Sequence, residues 1–219
     1  MFDLAHILDV LVESYPLFMK GLLITLQLTF VSILIGTGIG LVFALFKISG
    51  IKVLNWIANI YIALIRGTPL IVQIFIFYFG LAELGISAFW SAAFGLAMHN
   101  GAYIAEIFRG SIQSVDKGQM EAGRSLGMTY GLAMRRIILP QAFKRALPPL
   151  GNQFIIGLKD SSLASFIALN ELFSIATTQG SRTFDEMTYL IIVGLYYLIL
   201  VLLFTLLVNL LEKKLSAGE

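Results

Sequence analysis

From Gly21 through Phe46 the chain carries no charged residue, and this stretch constrains the fold more than any other feature. About 20 apolar residues are needed to cross a bilayer core as a helix. A second uncharged stretch runs from Met187 to Leu211. Three further apolar stretches complete a set of approximate spans at 17–47, 53–82, 84–109, 146–170 and 187–212. The second is interrupted by Arg66, with Gly67 and Pro69 following. The fourth is interrupted by Lys159 and Asp160. Only 13% of residues are charged and 58% are apolar, against roughly a quarter charged in soluble domains. The pattern predicts an all-α polytopic membrane protein in a single domain, 1–219.

Basic residues favour cytoplasmic connections. Lys47 and Lys52 lie in the first connection. Arg109, Lys117, Arg124, Arg135, Arg136, Lys144 and Arg145 lie in or beside the long third one, and Lys213 and Lys214 near the C-terminus. The opposite side carries Lys20 and Arg182 and is acidic at Asp3, Asp9, Glu13, Glu83, Glu171, Asp185 and Glu186. Five spans then place the N-terminus outside and the C-terminus inside. Asp3, His6, Asp9 and Glu13 recur at spacings of three and four. This predicts a short amphipathic helix over residues 2–15, at the outer interface or capping the first span. Those acids also stand where a secretory signal would be basic. The absence of cysteine excludes disulfides, thiolate chemistry and cysteine metal sites.

The third connection, residues 110–145, is too long for a structureless loop in a compact domain. Asp116 is a candidate N-cap for a helix over 119–126, with Glu121 in its first turn. Gly127 suits a left-handed stop. A second short helix follows, and Pro140 bends or restarts the chain after Ile137-Ile138-Leu139.

These residues resemble a known family motif. Glu121-Ala122-Gly123, then Gly127, then Ile137, Leu139 and Pro140 match the coupling motif of ABC importer permeases. That motif reads Glu-Ala-Ala, three residues, Gly, nine residues, Ile-x-Leu-Pro. The one departure is Gly123 for the second Ala, which weakens a helix by about 1 kcal/mol. Ile65-Arg66-Gly67-Thr68-Pro69-Leu70, Ala102 to Gly110 and Leu158 to Leu163 are similar to the polar amino acid permeases among them, which serve glutamine, glutamate, histidine, arginine or cystine. The resemblance implies five transmembrane helices of the type I (MetI-like) importer permease fold, with the N-terminal amphipathic helix and cytoplasmic coupling helices. It implies that Glu121, Ala122, Gly123, Ser125, Leu126 and Gly127 dock on a separate ATPase subunit. A second permease subunit, the same or related, and an extracytoplasmic amino-acid-binding protein complete the implied complex. No P-loop occurs in the chain. ATP and Mg are therefore expected on the partner, with no cofactor, metal or catalytic residue here.

Charges at bilayer depth usually face a cavity or a partner. Arg66 falls roughly 20 Å along the second span, Asp160 roughly 18 Å along the fourth, and Asn100 roughly 14 Å from the inner end of the third. A zwitterion needs an acceptor for its ammonium, for which Asp160 is a candidate. Its carboxylate needs donors, for which Arg66 and the freed backbone at Gly67 and Thr68 are candidates. Asn100, Ser161 and Ser162 are neutral polar candidates. The alternative is that Arg66 and Asp160 pair with each other, or with Lys159, as internal structure. Glu106 and Arg109 are expected to pair on one helix face, His99 to be structural, and Trp90 to anchor the outer interface.

Two other classes are disfavoured. An intramembrane enzyme needs a nucleophile with a base, an aspartate pair or a metal motif, and the sequence offers none. Five spans are few for a whole secondary carrier, and ion coupling does not need the coupling motif.

Overall fold

The computed structural model describes residues 4–216. Its first helix, α1 (Leu4–Ile48), runs unbroken through Pro16. The helix expected at 2–15 is thus an extension of the first span rather than a separate element lying on the membrane; residues 2 and 3 lie outside the described residues. Gly50, at φ +72°, then turns the chain into α2 (Lys52–Arg66). The second expected span is broken: α3 (Leu70–Gly80) departs from α2 at 102°. The cause is local. Gly67 N–H closes α2 on the Ala63 carbonyl, and Pro69 has extended backbone and no N–H with which to continue.

After a short 3₁₀ turn comes α4 (Ala88–Gln113). The long connection holds α5 (Lys117–Ser125) and α6 (Tyr130–Ala133), then a π-helical turn, Met134–Ile138. This turn runs without a break into α7 (Leu139–Asp160), with Pro140 at its second residue. The fourth expected span therefore begins seven residues early, continues past Asp160 as a 3₁₀ segment, Ser161–Ile167, and stops there. The next element was not expected: α8 (Leu172–Thr183) occupies the connection to α9 (Glu186–Ser216). The described residues form no strand.

The α1–α4 pair forms the centre of the fold. Gly36 and Gly40, four apart, let the two backbones touch: a Cβ at Gly36 would stand 2.9 Å from the Ala97 carbonyl oxygen, and one at Gly40 2.6 Å from Ile104 Cγ2. Small residues at this spacing are how apolar helices pack where lipid competes for every side chain. One apolar cluster, including Phe18, Leu172 and Ile192, joins α1, α8 and α9. Another, including Leu28, Ile74 and Leu96, joins α1, α3 and α4.

By length and composition α1 and α9 suffice to cross a membrane, and the bent α2–α3 pair makes a third crossing if counted as one span. Both α4 and α7 exceed 20 residues, but they hold buried polar groups, among them Ser91, Asn100 and Gln153. Leu198, Ile199, Leu202, Leu203 and Leu206 on α9 are each half or more exposed. Such a face is at home only in lipid or against another apolar surface.

Candidate functional site

The connection in which coupling residues were expected is held by local hydrogen bonds at both ends of α5. Asp116 caps α5 as expected, its Oδ1 accepting the Gly118 N–H at 2.6 Å. The far end closes as a Schellman motif: Met128 N–H donates to the Gly123 carbonyl and Gly127 N–H to that of Arg124, with Gly127 at φ +85°. Thr129 caps α6 through the Leu132 N–H. Glu121, Ala122, Ser125, Leu126 and Gly127 are exposed, and Leu126 is 82% exposed.

Gly123 differs from the other residues expected to couple in being buried. A Cβ there would meet Ile137 Cδ1 at 2.8 Å and Ala133 Cβ at 3.3 Å. Its small size thus seats α5 on the chain's own π turn, instead of offering an outward contact. A side-chain contact ties the two ends of the connection to each other. The Arg145 guanidinium donates to the Ser114 carbonyl, tying α7 to the end of α4. Glu106 accepts from Arg109 at 2.6 and 2.9 Å, as its spacing predicts, and also from Lys47 of α1 at 2.7 Å.

At the α2–α3 break, Arg66, Gly67 and Thr68 are exposed. The Arg66 guanidinium lies 5.0 Å from the centroid of the Tyr103 ring on α4. No ion pair joins Arg66 to Asp160 or Asp160 to Lys159 among the described residues. Gln73, which the sequence reading passed over, repairs the break. Its Nε2 donates to the Ile65 carbonyl at 2.8 Å, the Thr68 carbonyl at 3.2 Å and Thr68 Oγ1 at 3.0 Å. Backbone freed at bilayer depth has to find such partners.

Asn100 is wholly enclosed in the seam between α4 and α7. Its Oδ1 accepts from Gln153 Nε2 at 2.8 Å, while its Nδ2 is buried without a partner. Gln153 is the second polar residue that sequence reasoning missed. Glutamines 73 and 153 carry no charge to mark them, and only the buried polar position inside an apolar helix was available as a signal. Next to Asn100, His99 faces elsewhere and packs on Tyr103, with ring centroids 5.0 Å apart. Asp160 is half-buried at the end of α7. The hydroxyls of Ser161 and Ser162 bond back to the Leu158 and Lys159 carbonyls. Of the expected cluster, Arg66 lies on Tyr103 at the α2–α3 break with Gly67 and Thr68 following it, Asn100 sits in the α4–α7 seam against Gly157, and Asp160, Ser161 and Ser162 stand at the end of α7.

Glu171 corrects the count of outer-face acids, because it is 0% exposed. It caps α8, accepting the Phe173 N–H at 2.8 Å and the Ser174 N–H at 2.7 Å.

Long apolar helices, one pair of them sharply bent, with short helices in the connection between α4 and α7, have the build of a membrane subunit. The chain belongs to the family of binding-protein-dependent transport system inner membrane components, whose sequence profile matches residues 15–217. It is 45% identical over 205 residues to the probable amino-acid ABC transporter permease protein YckA of Bacillus subtilis, covering 93% of this chain and 91% of that one. It is 39% identical over 211 residues to the arginine transport system permease protein ArtQ of the same organism, covering 95% and 96%. Among solved structures, an amino acid ABC transporter crystallised with histidines matches with a TM-score of 0.90 and 44% identity, over 98% of this chain and 99% of that one. The inward-facing MetNI methionine transporter shares the fold at a TM-score of 0.81 and 22% identity, over 93% and 98%. The expected all-α importer-permease fold is borne out.

Proposed function

We propose that this chain is the membrane subunit of an ATP-driven importer of polar amino acids, working with a separate ATPase, a second permease subunit and an extracytoplasmic binding protein. The observation that carries the coupling is the exposed edge of α5. Leu126, a large apolar residue 82% exposed, stands at the C-cap of α5, whose Glu121 and Ala122 are also exposed and whose two ends are capped. An apolar residue held out on a rigid, basic projection fits insertion into a groove of a soluble partner. The amino acid cargo follows the relatives' names, and Arg66, Asp160 and Asn100 with Gly67, Thr68, Ser161 and Ser162 are its proposed contacts during transport.

The proposed arrangement is one transmembrane domain with five crossings: α1 from about residue 17, the bent α2–α3 pair, α4, α7 with its 3₁₀ extension, and α9. The N-terminus lies outside and the coupling region inside, in a bacterial inner membrane. Basic Arg135, Arg136, Lys144 and Arg145 around the projection support that orientation.

The test is co-purification with a soluble ATPase. Leu126→Asp and Glu121→Lys should each abolish it while leaving the membrane chain folded. Substrate transport by the purified chain alone would instead identify a secondary carrier. For the cargo contacts, transport that survives Asp160→Ala and Asn100→Ala with unchanged ATPase stimulation removes those residues from the site.

A further inference from the structure

A cleft of about 360 Å³ lies between the outer part of α1 and α8, remote from both the coupling region and the α2–α3 break. We propose that it binds a phosphate group at headgroup depth, that of an anionic glycerophospholipid. Lys20 from α1 and Arg182 from the last turn of α8 line it together. Neither cation is in an ion pair among the described residues. No carboxylate lines the cleft. Of the acids near Arg182 in the chain, Asp185 holds His6 at 2.8 Å, Glu171 caps α8, and Glu186, in the first turn of α9, packs against Gly180 and does not line the cleft.

Depth sets the class of ligand. Lys20 and Lys47 bracket the uncharged part of α1 and stand roughly 40 Å apart along it. That matches the bilayer thickness with headgroups included, about 40–45 Å. Lys47 is tied to Glu106 at one boundary, so Lys20 falls at the other, where lipid phosphates lie. Asn170 and Gln179 add neutral donors to the lining, suited to ester and phosphate oxygens. Leu17, Ile24 and Ile175 supply an apolar wall, against which the first acyl carbons would pack. Two converging cations, neutral amides and an apolar wall together match a phosphodiester attached to hydrocarbon better than a small soluble anion. The inference goes beyond the transport reading, and takes from it only which leaflet supplies the lipid.

The test is native mass spectrometry of the purified full chain titrated with phosphatidylglycerol or phosphatidylcholine of the same chain length. Inorganic phosphate alone is tested in parallel by thermal shift. The expected result is preferential retention of phosphatidylglycerol, reduced about tenfold in Lys20→Gln/Arg182→Gln and unchanged in the control Lys213→Gln/Lys214→Gln. Both pairs are exposed or lie at a helix end, so all variants should fold, and their melting temperatures check this. A thermal shift by inorganic phosphate that vanishes in the Lys20/Arg182 variant, without lipid preference, would keep the phosphate site and overturn its lipid source. Equal retention of the two lipids, with no phosphate response, would overturn the site itself. These readouts need no ATPase or cargo, so their failure leaves the transport reading intact, and the reverse.

Discussion

The Tyr197 hydroxyl donates to Glu171 Oε2 across 3.0 Å, joining α9 to the cap of α8. The same corner receives α1, because Thr25 Oγ1 accepts the Leu172 N–H at 3.1 Å. One buried carboxyl with its neighbours thus ties three helices together where α8 turns into the bundle. Every acceptor and donor named there is used, which is the condition for keeping such a group inside.

Glu171→Ala should be among the most damaging single changes outside the coupling region. It removes an N-cap, worth about 1 kcal/mol. It also removes the Tyr197 hydroxyl's bond to Glu171, leaving it Thr25 and Ser161 as partners, for about 1 kcal/mol more. Tyr197→Phe removes one hydrogen bond and should cost about 1 kcal/mol. Thermal unfolding in detergent should rank wild type above Tyr197→Phe, and that above Glu171→Ala. Equal melting temperatures for all three would show that the corner contributes nothing.

Gly40→Val should separate α1 from α4. Its Cβ would stand 2.6 Å from Ile104 Cγ2 and 3.0 Å from the Ala105 backbone nitrogen. The backbone neighbour cannot rotate away, so overpacking should cost about 1–3 kcal/mol. Gly38→Val, two residues away on another face with nothing within 4 Å of its Cβ, serves as the control. Differential scanning of the two variants checks the contrast.

The two glycines of the coupling region should respond differently to alanine. Gly123→Ala gains about 1 kcal/mol of helix propensity but pushes on Ile137 Cδ1, the free end of a flexible side chain, so its net effect on stability should be near zero. Gly127→Ala forces a Cβ into left-handed backbone at φ +85° and should cost about 1–2 kcal/mol locally. Hydrogen exchange of the α5 amides should rise in the second variant only.

The Asn100–Gln153 bond can be apportioned by a double-mutant cycle. Either residue changed to Leu leaves its partner buried with an unmet group, at a cost of about 1–3 kcal/mol. The double Leu variant should be more stable than the sum of the singles predicts. Additive losses would mean that the 2.8 Å contact carries no coupling.

Acid should loosen the outer corner. The His6 hydrogen bond, followed by that of Thr188, holds the Asp185 carboxyl below its ordinary value of 3.8. A carboxylate depressed in the folded state stabilises fully above its unfolded value and loses that contribution as pH falls through the folded one. Melting temperature of the wild type should therefore drop more steeply than that of Asp185→Asn below about pH 4. Parallel curves would show that the pair is not coupled to folding.

Much of the architecture was legible because it follows from local rules. The uncharged run after Lys20 fixes a long helix, and Asp116 and Gly127 bound α5 through cap chemistry that depends only on neighbouring residues. The Glu106–Arg109 pair likewise needs only its spacing. The candidate contacts were less legible. Depth along each span placed Arg66, Asn100 and Asp160 at similar levels, but level does not specify azimuth. In the fold, Arg66 meets Tyr103 and Asn100 meets Gln153.

The sequence by itself determined that the chain enters a membrane as helices, which stretches are apolar enough to do so, and where α5 starts and stops. Those properties are sums over consecutive residues. Only the tertiary structure decided that α2 and α3 part at 102°, that α8 exists with Glu171 buried at its cap, and that Gly123 faces inward. Each depends on which groups far apart in the chain are left needing a partner. Gln73 can repair the broken span, and Thr25 and Tyr197 can receive Glu171 and its helix, only after packing has brought them within hydrogen-bonding distance.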